Sequence, residues 1–296
     1  MNQTPNYSNA ITTFRAAAEN ALGTIPGAIE ADGRIHRFRT ERDKPGQHSG
    51  WYVMYLDNLP AGAFGDWKTG INHTWCATGL ESLPQADRLA IQRHVQVQKA
   101  KAAEAREKRQ AEAANKARKL WDWAKAADPH HPYLQAKQVQ PHGLRQHGST
   151  LLVPLVVDGT LVNLQRIYPN GEKRFLGGGR VSGAYSPIGL SDGPLYICEG
   201  WATGATIHTV TGSPVACAMN CGNLMAVCRA MRQRYPGRQI IVAGDNDRHT
   251  DGNPGKTAAE QAAKAIRAEW VIPTFPKDLP GTDFNDLARM EMEGKL

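Results

Sequence analysis

The sequence predicts an α/β protein whose C-terminal part is a mostly parallel sheet, preceded by a basic α+β segment and by a small separate N-terminal α+β domain joined through a long helix. Three observations carry this reading. After residue 193 short apolar runs alternate with helical stretches, after Pro84 helix formers run without Gly or Pro to Ala127, and before residue 83 aromatics, Gly and Pro surround alternating segments. At 296 residues the chain can bury two modest cores.

In residues 1–83 the segment Trp51-Tyr52-Val53-Met54-Tyr55-Leu56 alternates as a strand does. Arg34, His36, Arg37, Arg39, Arg42 and Lys44 lead into it, and Trp67-Lys68 follows. Cations interleaved with aromatics suit single-stranded nucleic acid, because rings stack on bases while charges track the backbone; aromatics of a small domain also serve as core. Residues 84–127 read as a helical connector. Glu104–Lys108 and Glu112–Lys116 are supportive i,i+4 pairs, and no Leu or Ile between Gln98 and Lys119 supplies a coiled-coil seam. Docking is expected only at Leu120, Trp121 and Trp123.

The net charge of +7 is uneven: Lys99 to Lys119 holds eight Lys or Arg against three Glu, a surplus of +5. Such a balance suits a polyphosphate partner, or simply a solvated helix face. Residues 128–192 form the basic α+β segment, with a hairpin of Leu151–Val157 and Leu161–Tyr168 about Asp158-Gly159. Arg166, Lys173, Arg174 and Arg180 flank Gly177-Gly178-Gly179, where a backbone without side chains would let phosphate approach cations.

Residues 193–296 supply strands at 195–198, 214–218, 239–244 and 270–274, with helices from about Thr203, Asn223 and Lys256 between them. Two of these strands end on acids: Cys198-Glu199-Gly200 and Gly244-Asp245-Asn246-Asp247. Ligands of open α/β sheets bind beyond the carboxyl ends of the strands, so Glu199, Asp245 and Asp247 are the candidate catalytic residues and metal ligands. Carboxylates crowded there repel one another unless a hard cation such as Mg²⁺ joins them. Glu199 could also take a proton from an attacking hydroxyl.

Gly252-Asn253-Pro254-Gly255-Lys256-Thr257 ends like a phosphate-binding loop. Its first required glycine is Thr250, and Pro254 removes an N–H from the cradle. Lys256 remains a candidate nucleotide contact. Asp283 and Asp286, in Gly281-Thr282-Asp283-Phe284-Asn285-Asp286-Leu287, suit a helix cap as well as a ligand role. Zinc is not expected, since His130, His131, His142 and His147 have no cysteine nearby and none of the five cysteines forms a CxxC pair. With no signal peptide at the start given and no apolar run of membrane length, a cytoplasmic location without membrane association is the default expectation.

The ordered motifs resemble the TOPRIM domain, a Rossmann-like fold of bacterial primases, topoisomerases and some nucleases. The basic stretch Gly159–Arg166 through Lys173–Arg180 resembles the subdomain that precedes TOPRIM in primases. Glu199-Gly200-Trp201-Ala202-Thr203-Gly204 and Asp283-Phe284-Asn285-Asp286-Leu287 resemble primases of plasmids, phages and integrated mobile elements most closely. The resemblance implies a primase that makes short primers on single-stranded DNA from nucleoside triphosphates with Mg²⁺ or Mn²⁺, any helicase being supplied separately. It makes Glu199, Asp245 and Asp247 ligands and Lys173, Arg174 and Arg180 template or nucleotide contacts. Thr203 stands where replicative primases place an Asp, so that the resemblance implies a shell either reduced or completed by Asp251 or Asp286. Their zinc ribbon is absent; His36 to Gly70 instead resembles the zinc-free leader of some primase-helicases. A TOPRIM nuclease and a non-catalytic DNA-binding accessory use the same features.

Overall fold

A computed structural model describes residues 7–43, 45–56, 60–77 and 85–296, without the side chains of 7, 85–88, 90–92, 94, 95 and 98. Lys44 and the expected boundary at 83 and 84 lie outside the described residues. The chain divides into two compact units, Met1–Ala100 and Lys101–Leu296.

The first unit sets helix α1 (Tyr7–Leu22) on an antiparallel meander of β1 (His36–Phe38), β2 (Gly50–Tyr55), β3 (Ala61–Asp66) and β4 (Ile71–Cys76). Ala10, Phe14 and Ala18 recur at i,i+4, so one stripe of α1 meets the alternate residues Tyr52 and Met54 of β2. Phe14 stands edge-on to Tyr52, Phe64 and Trp75. Gly62 makes room for it, because a Cβ there would lie 2.6 Å from the Phe14 ring.

One helix, α2 (Gln85–Trp123), covers the predicted connector. Its docking differs from expectation. Ala113 and Ala117 are buried, with Leu120 and Trp121 packed beside Leu152 and Leu164, whereas Trp123 is 74% exposed. The small residues at i and i+4 let the backbone approach the sheet, and Trp123 lies off that stripe.

In the second unit β5 (Lys125–Ala126), β6 (Arg145–His147), β7 (Thr150–Val157), β8 (Thr160–Ile167) and β9 (Lys173–Phe175) form an antiparallel sheet in sequence order, with helix α3 (Pro132–Lys137) between β5 and β6. The β7–β8 turn uses Asp158 and Gly159 at φ of 50° and 78°, both in the left-handed region that a tight hairpin requires. The other sheet has the order β10 (Ser186–Ile188), β12 (Val215–Cys217), β11 (Leu195–Cys198), β13 (Ile240–Ala243), β14 (Glu269–Val271). Its last four strands are parallel and β10 is antiparallel, giving a mixed α/β sheet.

The central strands β12, β11 and β13 are buried on both faces, and alternate residues meet opposite layers. Cys198, Val215, Cys217 and Ala243 face α4 (Trp201–Thr211), sharing a core with Leu151, Val153, Leu155 and Ile167 of the antiparallel sheet. Leu195, Ile197, Ala216, Ile240 and Val242 face α5 (Cys221–Arg234) and α6 (Pro254–Ala265). The terminal helix α7 (Phe284–Met292) is tied to α3 and α4 by Asn285, which donates to the Lys137 carbonyl and the Thr206 hydroxyl. Among the described residues no helix is long and apolar enough to cross a membrane.

Candidate active site

Cys198 and Ala243 are register partners on adjacent parallel strands, so Glu199 and Asp245 leave the sheet one and two residues beyond the same point. Each acid segment then meets a helix N-terminus. The Cys221 N–H, first in α5, lies by the Glu199 carboxylate and favours its charged form. The Gly255 N–H, in the first turn of α6, donates to Asp247 Oδ2 over 2.9 Å. Both contacts set a carboxylate against the positive end of a helix dipole. Only glycine serves at 255, since a Cβ would lie 2.6 Å from the Asp245 carbonyl oxygen and 2.8 Å from Asp247 Oδ2.

Asn246, between the two aspartates, has a structural part that the sequence alone did not disclose. Its side chain donates to the Pro273 carbonyl (2.9 Å) and accepts from Asn253 (2.8 Å), while its N–H donates to Thr282 (2.6 Å). The turn is thereby fixed from three sides.

The electrostatics are those of an acid-rich, poorly solvated hollow. Burial first, then the charges of Glu199, Asp283, Asp247 and Asp286, pushes Asp245 up to about 8. Burial and Asp247 also raise Glu199, against the Cys221 N–H and Lys173. Cys221 is pushed up to about 11 by burial and by Glu199, Asp247 and Asp245. Lys173, although exposed as a whole residue, is lowered by lost solvation, opposed by Asp283, Glu199 and Asp245, and its ammonium stands 5.3 Å from the centre of the Tyr133 ring. Asp245 Oδ1 is buried without a hydrogen-bond partner. An orphaned carboxylate oxygen among other acids fits a divalent cation, whose positive charge would oppose the rise in each raised pKa. Among the described residues the only trio of potential ligand atoms all within 4.8 Å is Glu30, Asp32 and His36. The sheet-edge acids stand wider as a set, a spacing open to an ion that keeps water in its shell.

The remaining predicted residues divide. Asp283 caps α7 by accepting from the Asp286 N–H (2.8 Å), as the sequence allowed, yet its charge also acts on Asp245, Glu199 and Lys173. Asp286 accepts from the Thr282 N–H (3.2 Å) and lies 3.8 Å from Lys137 Nζ. Asp251 sits in the exposed turn before α6. Thr203 is buried in the first turn of α4.

Across β8 and β9 Arg166 is opposite Arg174, while Lys173 is opposite the buried Ile167, so the basic residues split between two faces. Arg174 is exposed and pairs with Glu172 at 2.6 Å. Arg180, also exposed, donates to the Ser182 carbonyl. Arg166 is half-buried, with Nε lacking a hydrogen-bond partner. Gly179 answers to packing: a Cβ there would lie 2.3 Å from the buried Asn163 side chain, which donates to the Arg180 carbonyl.

The phosphate-loop lookalike is spent on the protein itself. Its Gly255 N–H goes to Asp247, its Lys256 N–H to the Asn253 cap and its Thr257 hydroxyl to the Gly252 carbonyl. Lys256 Nζ stands 6.0 Å from the Trp270 ring centre. Asp283 was visible in the sequence within its acidic motif, but its field at Asp245 depends on α7 folding back onto α4. No local signal marks Tyr133.

Comparison with known proteins bears on the domain that carries these acids. Residues 194–294 match the model of the Toprim domain, generally a divalent-metal-binding fold. Two Escherichia coli proteins named DNA primase TraC are similar to the chain, one 35% identical over 290 residues and the other 34% over 282. The alignments cover 90% and 88% of this chain but 27% and 19% of those proteins, so the chain spans about a quarter and about a fifth of their length.

Proposed function

Because residues 194–294 are a Toprim domain, in a chain similar to TraC primases over nine-tenths of its length, we propose that this protein is a plasmid-type or mobile-element DNA primase. Its reaction is the joining of nucleoside triphosphates into short primers on single-stranded DNA, with any replicative helicase supplied by a partner. The observation that carries the reading is the buried, unpartnered oxygen of Asp245 among Glu199, Asp247 and Asp283.

Glu199, Asp245 and Asp247 would hold Mg²⁺ or Mn²⁺, with Asp286 and, from its exposed turn, Asp251 as further candidates. When bound, the ion neutralises phosphate charge and makes the attacking hydroxyl more acidic. Glu199, leaving the sheet one residue beyond Cys198 beside Asp245 and Asp247, would accept the proton of that hydroxyl at its carboxylate. Lys173, held over Tyr133 and facing the acids, contacts the phosphates of the incoming nucleotide. Arg166, Arg174, Arg180 and Lys256 supply further template or nucleotide contacts.

The test incubates the protein with circular single-stranded DNA, labelled nucleoside triphosphates and Mg²⁺ or Mn²⁺. Short oligomers that disappear in Asp245→Ala are expected. Loss of the template would replace this reading with a nuclease, and binding without synthesis or cleavage would replace it with a non-catalytic accessory.

A further inference from the structure

The first unit carries an open cavity of about 640 Å³ that the Toprim chemistry does not use. Arg37, Gln47, His48, Trp67 and Lys68 line it. Trp67 is 53% exposed although large and apolar. It is nevertheless held in place: its ring stacks on Trp51, with centroids 5.7 Å apart and planes at 24°, and the Arg37 guanidinium lies 4.6 Å from its centre. Arg37 and Trp51 are register partners of β1 and β2, and Gly65 of β3 admits the Trp51 ring, which a Cβ there would meet at 2.9 Å. The platform is thus built into the sheet.

The rim is built as firmly. Asp43, with a fully buried side chain, accepts from the N–H groups of Thr40 (3.0 Å) and Ser49 (2.7 Å) and from Lys68 Nζ (2.8 Å). Lys68 Nζ also donates to the Arg42 carbonyl and to Gln47. Among the described lining residues Asp43 is the one acid, and its carboxylate is turned inward to those donors. What remains at the surface is a ring, a guanidinium with one N–H donated to the His48 carbonyl, an imidazole and neutral groups. This combination recognises a flat aromatic group attached to an anion.

We propose that this hollow binds single-stranded nucleic acid, one base stacking on Trp67 and an adjacent phosphate meeting Arg37. The site belongs to the N-terminal unit and is separate from the metal chemistry proposed for the Toprim domain.

The test is fluorescence anisotropy of a labelled oligothymidylate with the full chain in EDTA, over a range of salt. Trp67→Ala should weaken binding about tenfold, the effect of one stacked base, without changing the salt slope, and Trp67→Phe should restore most of it. Arg37→Ala should lower the salt slope by about one, as expected for one lost phosphate contact. An abasic oligomer of equal length should bind wild type and Trp67→Ala alike. Unchanged affinity in Trp67→Ala, or an equal loss for the abasic oligomer, overturns the proposal. Because catalysis is not measured, these results stand whether or not the protein primes.

Discussion

Two acidic clusters in this molecule answer differently to the same chemistry. Glu30, Asp32 and His36 bring three potential ligand atoms within 4.8 Å of one another, and Asp32 accepts a 2.7 Å bond from His36 Nε2. That cluster is largely open to water, and Asp32 is lowered first by its hydrogen bond with His36. The Toprim acids stand wider, yet burial and mutual repulsion raise Glu199 and Asp245. Proximity makes a surface hydrogen bond; loss of solvation makes a set of acids suited to a cation. By this contrast the sheet edge, and not the tighter trio, is the proposed functional centre.

The largest expected effect separates the clusters by activity. Glu199→Gln should lower primer synthesis at least about a hundredfold, as loss of a general base does, whereas the double variant Glu30→Gln and Asp32→Asn should prime normally. Equal activity of Glu199→Gln and wild type would remove the proton-accepting role. Next comes Gly255→Ala. A methyl group wedged against Asp247 and the Asp245 carbonyl should displace one acid and weaken Mn²⁺ binding about tenfold, the scale of a disturbed ligand support; unaltered binding would show that α6 does not fix the ligands.

Smaller and opposite in sign are the pH effects, read by denaturant unfolding in EDTA. Asp245 has a folded pKa of about 8 against the ordinary 3.8, so between these values the native state keeps a proton that the unfolded chain has released. Stability should therefore fall as pH rises from about 4 to about 8, and Asp245→Asn should flatten this slope. Asp32 is lowered, so its contribution should be present above about pH 4 and lost as pH falls further. A stability that rises from pH 4 to 8 in step with Asp245 would contradict the assignment. The smallest effect belongs to Trp123→Ala, within about 0.5 kcal/mol because the ring is exposed, whereas Ala117→Leu should cost about 1 to 3 kcal/mol by overpacking.

The sheet-edge side of this contrast was legible in the sequence, whereas no motif marked Glu30, Asp32 and His36 as a cluster. The apolar runs ending at Cys198 and Ala243 show two strands that stop on acids, since fully buried parallel strands need continuous hydrophobicity. Asp158-Gly159 shows the hairpin because its geometry needs two left-handed residues. Other parts depend on residues far apart in the chain. Tyr133 reaches Lys173 only through packing of α3, Asn246 acts through Pro273 and Thr282, and Gly179 yields to Asn163. Trp123 failed as an anchor because apolar character says nothing about which stripe of a helix meets its neighbour.

The most direct test is Mn²⁺ binding followed by electron paramagnetic resonance in wild type, Asp245→Asn, and the Glu30→Gln and Asp32→Asn double variant. The account predicts that the bound-ion signal is lost in Asp245→Asn and kept in the double variant. Retention in Asp245→Asn with loss in the double variant would move the metal to the surface cluster and contradict the assignment of the sheet edge as the catalytic centre.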